Sequence, residues 1–407
     1  MDADDLVLIS VDDHVIEPRD MFDAHVPVRW RDAAPRVHED RHGREYWWYG
    51  DMRGRTMGLN ATAGRPLAEY AWDAYRYDEM RPGCYDPAAR VADMDTGGVL
   101  ASLNFPNFPG FAGQVLNFGG DAATNDVMIK AYNDWMLADW CGRFPDRFIP
   151  CGIVPYFDVA CAAAEVRRLA GLGCHAITFL ERPEVTGAPS LHSDEWDPFF
   201  EACEEEQTII CVHLGSSGLA VTLPPDRPFL VRANLTPMTS MVALVDLLWA
   251  PFWFRFPGVK ISLTEGDIGW MPYVIQRAEH SIGKYRESTW ATHHYPKESS
   301  PEQIFRERIL CCFIDDRVGV GALDSFNVDN ISWEHDYPHS DGVWPHGPEV
   351  VARVVAGLDD ETIAKITHRN AMRHYQFDPF QWRPRQQATA GALRAGAAVR
   401  AQVEVRG

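Results

Sequence analysis

Short apolar runs alternate with longer amphipathic segments along most of this 407-residue chain, and that alternation leaves few folds open. β-rich runs bounded by turn residues span 6–14, 99–106, 148–155, 174–180, 208–214, 259–266, 309–316 and 330–338. Helix-like stretches separate them at 122–142, 158–172, 197–206, 237–254, 271–282 and 318–325, with more helix at 348–358 and 360–375. Runs such as IICV and ILCCFI are apolar without alternation, as parallel strands covered on both faces should be. Eight such units predict an α/β fold, a (β/α)8 TIM barrel, as a single domain over 1–378. An open doubly wound sheet would place a Gly-rich phosphate turn after its first strand, and none follows residues 6–14.

Two regions break the pattern. Residues 15–98 form an insert after the first strand that carries Trp30, Tyr46, Trp47, Trp48, Tyr49, Trp72, Tyr75 and Tyr77. A connection this long is a lid or a small subdomain. The segment 379–407 is Ala-rich, basic and weakly patterned, which predicts a frayed helix, disorder or an oligomer contact. A homodimer or higher homo-oligomer is expected, with the Trp-rich insert as another surface that can serve it.

Charge narrows the partners. With 38 Lys and Arg against 58 Asp and Glu, the net charge of −20 opposes nucleic acid and anionic membrane surfaces, so the expected partner is a small molecule. The acidic start MDADDLVLISVDDH lacks the basic flank and long apolar core of a signal peptide. No apolar run reaches the roughly 18 residues of a bilayer span. Nine cysteines without a C-x-x-C pair read as reduced, buried thiols, and the expected location is cytoplasmic.

In a barrel of this kind the chemistry sits at the C-terminal ends of the strands. The first strand, LVLISVDDH, places Asp12 and His14 two residues apart, hence on one side of the strand. The fifth, TIICVHL, delivers His213, and the eighth, NISWEHDYPH, delivers Asp336. Imidazoles and carboxylates from three separate strand ends form a divalent-metal set, with zinc the first expectation and manganese or iron as alternatives. Asp336 is the expected general base; Glu265, at the sixth strand end, is a second acid/base or a partner to a ligand. His213 serves as both ligand and catalytic group. Substrate contacts are expected from Arg182, which can fork a carboxylate, from Phe105, Phe108 and Trp344 as a wall for a planar molecule, and from His339.

The segments VDDHVIEPRDMF, VHLGSSG, SLTEGDIGWMPYVIQRAE and WEHDYPHSDGVWP resemble signatures of the amidohydrolase-related metalloenzymes, in the branch that includes aminocarboxymuconate-semialdehyde decarboxylase and aromatic acid decarboxylases. The resemblance runs from about residue 6 to Asn370 and Ala371 and omits much of the insert and the tail. It implies a (β/α)8 barrel and one divalent metal ion held by Asp12, His14, His213 and Asp336. The first-strand pair departs from the family's His-x-His or Glu-x-His. Binuclear relatives bridge two ions with a strand-four Lys, whereas CHAITFLERP has none, so one ion is implied. Where the decarboxylase carries a His at the sixth strand end, this chain has Glu265.

The reading that follows is a metal-dependent amidohydrolase-family enzyme acting on a small cyclic or aromatic carboxylate-bearing molecule, by hydrolysis through metal-activated water. The alternatives are non-oxidative decarboxylation of an aromatic or enol acid and, from another class, a non-catalytic barrel with a structural metal.

Overall fold

In the computed structural model, which describes residues 2–54, 57–219, 223–288 and 295–404, the alternating runs form the parallel strands of a (β/α)8 barrel. The strands are β1 (Ile9–His14), β2 (Ala101–Phe105), β3 in two pieces (Phe148–Ile149 and Gly152–Ile153), β4 (Ala176–Phe179), β5 (Ile209–His213), β6 (Ile261–Thr264), β7 (Ile309–Phe313) and β8 (Ile331–Trp333). Ladder hydrogen bonds join β1 to β2 to the first piece of β3, and the second piece of β3 through β4, β5, β6 and β7 to β8. The ring closes between β8 and β1 without a regular ladder. His335 N donates to Ser10 Oγ (2.9 Å), Asp336 N to the Asp12 carbonyl (2.9 Å) and His14 N to the Tyr337 carbonyl (2.7 Å).

That seam has a local cause. The register of β1 on β2 slips between Ser10 and Asp13, a bulge that frees backbone groups of β1 to face the chain leaving β8. Below the seam the barrel is filled by apolar residues from its own strands, among them Ile9, Val11, Leu103, Ile149, Ala176, Cys211 and Cys312. The larger apolar cluster lies between barrel and helices. It buries Trp140, Trp196, Trp253 and Trp333. All nine cysteines are free, and eight are buried.

Within the insert, Arg36–Glu39, Glu45–Tyr49 and Met52–Arg53 form an antiparallel sheet. Its inner face is built on Trp47, which stacks on Phe108 with ring centroids 4.5 Å apart and meets Phe22 edge-on. Further along, the insert lies against the chain leaving β8: Thr62 N and Ala63 N donate to the Pro338 carbonyl, and Ser340 N to the Leu59 carbonyl. The insert ends in the helix Pro87–Gly97, which starts on an Asp86 cap and a first-turn proline and stops at left-handed Gly98 (φ 72°).

Of the alternatives expected for the tail, the structure shows a helix, Ala390–Glu404, docked on the barrel through its first turns. Its small side chains permit close approach to helix Pro87–Gly97; Ala390 N donates to the Leu6 carbonyl, Ala388, Ala390 and Leu393 are buried, and Arg394 pairs with Glu349. Weak amphipathic patterning hid it, since an alanine face buries little area per residue yet packs tightly. No helix among the described residues is long and apolar enough to cross a membrane.

If this docking rests on the Leu393 contact, Leu393→Asp should detach the helix while the barrel stays folded. Mild trypsin should then cleave after Arg385 or Arg394 in the variant before it cuts the wild type. Equal resistance of the two proteins would show that the helix is held by other contacts.

Candidate metal centre

Six side chains from four places in the sequence converge at the mouth of the barrel. Asp12 and His14 come from β1, His213 ends β5, Glu265 follows β6, and Asp336 and His339 follow β8. His14 Nε2 lies 3.4 Å from Asp12 Oδ1, 3.4 Å from Asp336 Oδ1, 3.6 Å from Glu265 Oε2 and 3.1 Å from His213 Nε2. His213 Nε2 is 3.6 Å from Asp12 Oδ2 and 2.7 Å from Glu265 Oε2. Asp12, His14, His213 and Asp336 are wholly buried. The sequence-derived set is therefore brought together, and Glu265 stands within it.

Backbone conformation aims two of these carboxylates. Glu265 (φ 58°) and Asp336 (φ 56°) both adopt left-handed backbone just past their strand ends, a conformation that costs a non-glycine residue about 1 kcal/mol or more. Glu265 is held there by its N–H, which donates to Glu334 Oε2 at 3.0 Å. Asp336 is held by the seam. Behind His14, buried Arg90 donates to the carbonyls of His14 and Gly83 and faces Asp13 Oδ2 at 3.9 Å, with its guanidinium over the Tyr337 ring.

The electrostatics call for a cation. Burial, with the Glu334 and Glu265 charges added, pushes the Asp12 carboxyl well above its usual range; burial, with Glu265 and Asp12, does the same to Asp336. Burial and the facing His213 lower His14, and burial and the stacked His14 lower His339. Burial also raises Glu265, but the adjoining His213 outweighs it and leaves the group below its ordinary value. Neither oxygen of Asp12 or Asp336 accepts a hydrogen bond of good geometry from another protein group. His213 Nδ1 meets the Leu214 carbonyl at 2.8 Å and must donate to it, which leaves the Nε2 lone pair aimed at the other donors. Two overlapping groups, Asp12, His14, His213 and Glu265, and His14, Glu265, Asp336 and His339, each bring their donor atoms within 4.8 Å of one another, which fits a divalent cation.

The expected substrate contacts fall in different places. Phe105 is buried with its ring 5.0 Å from that of His213, and His339 stacks on His14 at 3.6 Å while Nδ1 reaches Asp336 Oδ1 at 3.0 Å. Phe108 instead faces the insert, stacked on Trp47; Pro109 and Gly110 turn the chain so that Phe111 occupies the site, 4.1 Å from His213 and 4.9 Å from His14. Trp344 donates to the Asp93 carbonyl beneath the Arg81 guanidinium and meets Tyr337 edge-on, so it braces the loop after β8. Arg182 is tied to the loop after β5, its N–H to Ser217 Oγ and its guanidinium to the Gly218 carbonyl at 3.5 Å.

Phe111, Arg90 and Glu334 were missed by the strand-end logic. Phe111 lies six residues beyond β2, Arg90 is on a helix of the insert, and Glu334 looks like one more polar residue beside a ligand. The strand-eight run WEHD, with three titratable residues after an apolar strand, was the one available signal.

A barrel whose strand ends present clustered imidazoles and carboxylates defines a class of metal-dependent enzymes. Residues 22–377 match the amidohydrolase family, and the chain belongs to it. It is a metal-dependent hydrolase or carboxy-lyase of that superfamily. A 149-residue stretch, 37% of this chain and 30% of the relative, is 25% identical to 2-amino-3-carboxymuconate-6-semialdehyde decarboxylase of Caenorhabditis elegans. Among solved structures, an amidohydrolase from Mycobacterium avium subsp. paratuberculosis is 19% identical, with a TM-score of 0.69 over 91% of this chain and 99% of that one. The 5-carboxyvanillate decarboxylase of Novosphingobium aromaticivorans, solved with manganese and a nitrobenzoic acid, is 18% identical, with a TM-score of 0.64 over 91% and 97%. The 5-carboxyvanillate decarboxylase of Sphingomonas paucimobilis is 19% identical, with a TM-score of 0.63 over 92% and 100%. At these identities the structural likenesses establish the fold.

The loop carrying Phe111 depends on Glu17, whose carboxylate accepts Asn107 N (2.8 Å) and Phe108 N (2.9 Å). Burial pushes the Glu17 pKa up to about 7 from the ordinary 4.5. A raised carboxyl favours folding below its unfolded pKa, and that contribution is lost as pH rises through the folded one. The stability of wild type relative to Glu17→Gln should therefore fall between about pH 4.5 and 7 and level off above. Urea unfolding across that range measures it; a pH-independent difference would show that Glu17 keeps an ordinary pKa.

Proposed function

We propose that this chain is a non-oxidative decarboxylase of a small aromatic or enol acid, dependent on one divalent cation held by Asp12, His14, His213 and Asp336. The observation that carries the reading is the buried Asp336–His339 pair, 3.0 Å apart, with the Phe111 ring beside His339 and the Phe105 ring beside His14. The names of relatives support it, since a curated relative and several fold neighbours are decarboxylases.

The cation, when bound, supplies Lewis-acid stabilisation of charge on substrate oxygens. Phe105 and Phe111 flank a planar ring and exclude water, so the substrate carboxylate leaves solvent before it reacts. His339, its Nδ1 3.0 Å from Asp336 Oδ1, carries at Nε2 the proton to be transferred. The bond from ring carbon to carboxylate breaks, its electron pair stays on the carbon, the His339 proton joins that carbon, and carbon dioxide leaves. Arg182 is the candidate for a second acidic group on the substrate. Hydrolysis is the second reading, and Glu265 favours it, because a carboxylate against the donor set can take a proton from water.

Incubation with carboxylated phenols in deuterated water should release carbon dioxide and place deuterium on the vacated carbon. Asp336→Asn should lower that turnover by about 10²–10⁴-fold, the size of a lost acid/base contribution. Turnover confined to lactones or amides, or full activity in Asp336→Asn, would rule the reading out.

A further inference from the structure

Glu265 stands where the family resemblance calls for an imidazole, and its contacts do not look like those of a bystander. Donors about 2.0–2.2 Å from one ion, at angles near 90–110°, lie about 2.8–3.6 Å from one another. His14 Nε2 meets this spacing toward Asp12 (3.4 Å), Asp336 (3.4 Å) and His213 (3.1 Å). Glu265 Oε2 lies 3.6 Å from His14 Nε2, within this range, and 2.7 Å from His213 Nε2, just short of it. It joins Asp12, His14 and His213 in one group of mutually close donors, and His14, Asp336 and His339 in another.

The tautomer of His213 sharpens this. Because Nδ1 donates to the Leu214 carbonyl, a neutral His213 has only a lone pair at Nε2, and Glu265 Oε2 lies 2.7 Å from that nitrogen. Two acceptors this close repel unless a proton or a metal ion lies between them. His14 Nε2 lies 3.1 Å from His213 Nε2, a contact that a proton on His14 Nε2 can bridge. A single cation beside Glu265 Oε2 and His213 Nε2 relieves the contact between those two atoms and also takes the lone pair of His14 Nε2. The backbone is set for that placement, with Glu265 in its left-handed conformation and its N–H fixed by Glu334.

We propose that Glu265 is a fifth protein ligand of the divalent cation, bound through Oε2 beside Asp12, His14, His213 and Asp336. The inference rests on the reading that those four residues hold the ion. Five protein donors exceed the four of a tetrahedral zinc site and fall one short of an octahedral set. Three carboxylates with two imidazoles thus favour a harder, six-coordinate ion such as manganese(II) over zinc, and the replacement of an imidazole by Glu265 makes the preference stronger.

The test is structural and does not depend on turnover. Wild-type protein, stripped with a chelator and reloaded with manganese(II), is crystallised and the ion located by its anomalous signal; in parallel, manganese affinity is measured for wild type and Glu265→Gln. The expected result is one ion per chain with a Glu265 oxygen about 2.0–2.3 Å away. Glu265→Gln, with an unchanged melting temperature, should bind manganese at least tenfold more weakly. An ion held by the other four residues with Glu265 beyond about 3.5 Å, outside any coordination distance, overturns the inference and leaves the four-ligand centre standing. Equal manganese affinity in the two proteins does the same. A folded wild type that takes up no ion overturns both.

Discussion

The seam between β8 and β1 is the contact on which the rest of the molecule depends. Three hydrogen bonds, from His335 to Ser10, from Asp336 to Asp12 and from His14 to Tyr337, close the barrel between chain segments more than 320 residues apart. Each closing bond has a candidate ligand as donor or acceptor or the immediate neighbour of one. Barrel closure and donor placement are thus a single event. The first-strand bulge makes this workable, because a regular ladder would spend the same backbone groups on strand pairing and leave Asp336 free to turn elsewhere.

Burying this much charge is costly in the absence of a counter-ion, and the surroundings show how the fold tolerates it. Arg90 clamps the backbone behind His14 and faces Asp13, so one buried cation partly balances the carboxylates from below. Glu334, whose pKa burial pushes up to about 8, accepts from Glu265 N and Cys312 Sγ and shapes the strand-six turn. Among the described residues, the imidazoles of His14, His213 and His339 are the other groups that face Asp12, Asp336 and Glu265. The excess negative charge of the chain is here concentrated into a local potential that selects for a cation.

The barrel was legible because its strands are short, apolar and evenly spaced, and because the residues at their ends are of types rarely placed there without a reason. Asp12, His14, His213 and Asp336 could be read this way, since the end of a strand fixes which way its last side chains face. Phe108 and Phe111 could not be told apart, because the turn at Pro109 and Gly110 decides which ring reaches the site, and a loop carries no periodicity. Arg90 escaped notice for a related reason: its partner is the carbonyl of His14, and backbone acceptors leave no trace in a sequence. Glu265 was visible as a residue, but its nearness to His213 depends on a left-handed backbone that nothing local announces. The tail helix was obscured by its alanines, whose value lies in close approach.

The bonds from Thr62, Ala63 and Leu59 to the backbone of Pro338 and Ser340 connect the insert to the same loop that carries Asp336 and His339. In evolutionary terms the insert is not an interchangeable cassette. A grafted or lengthened version would have to reproduce those backbone contacts before it could explore new side chains over the mouth. A change of chain length in the insert would therefore be felt by the loop that carries Asp336 and His339.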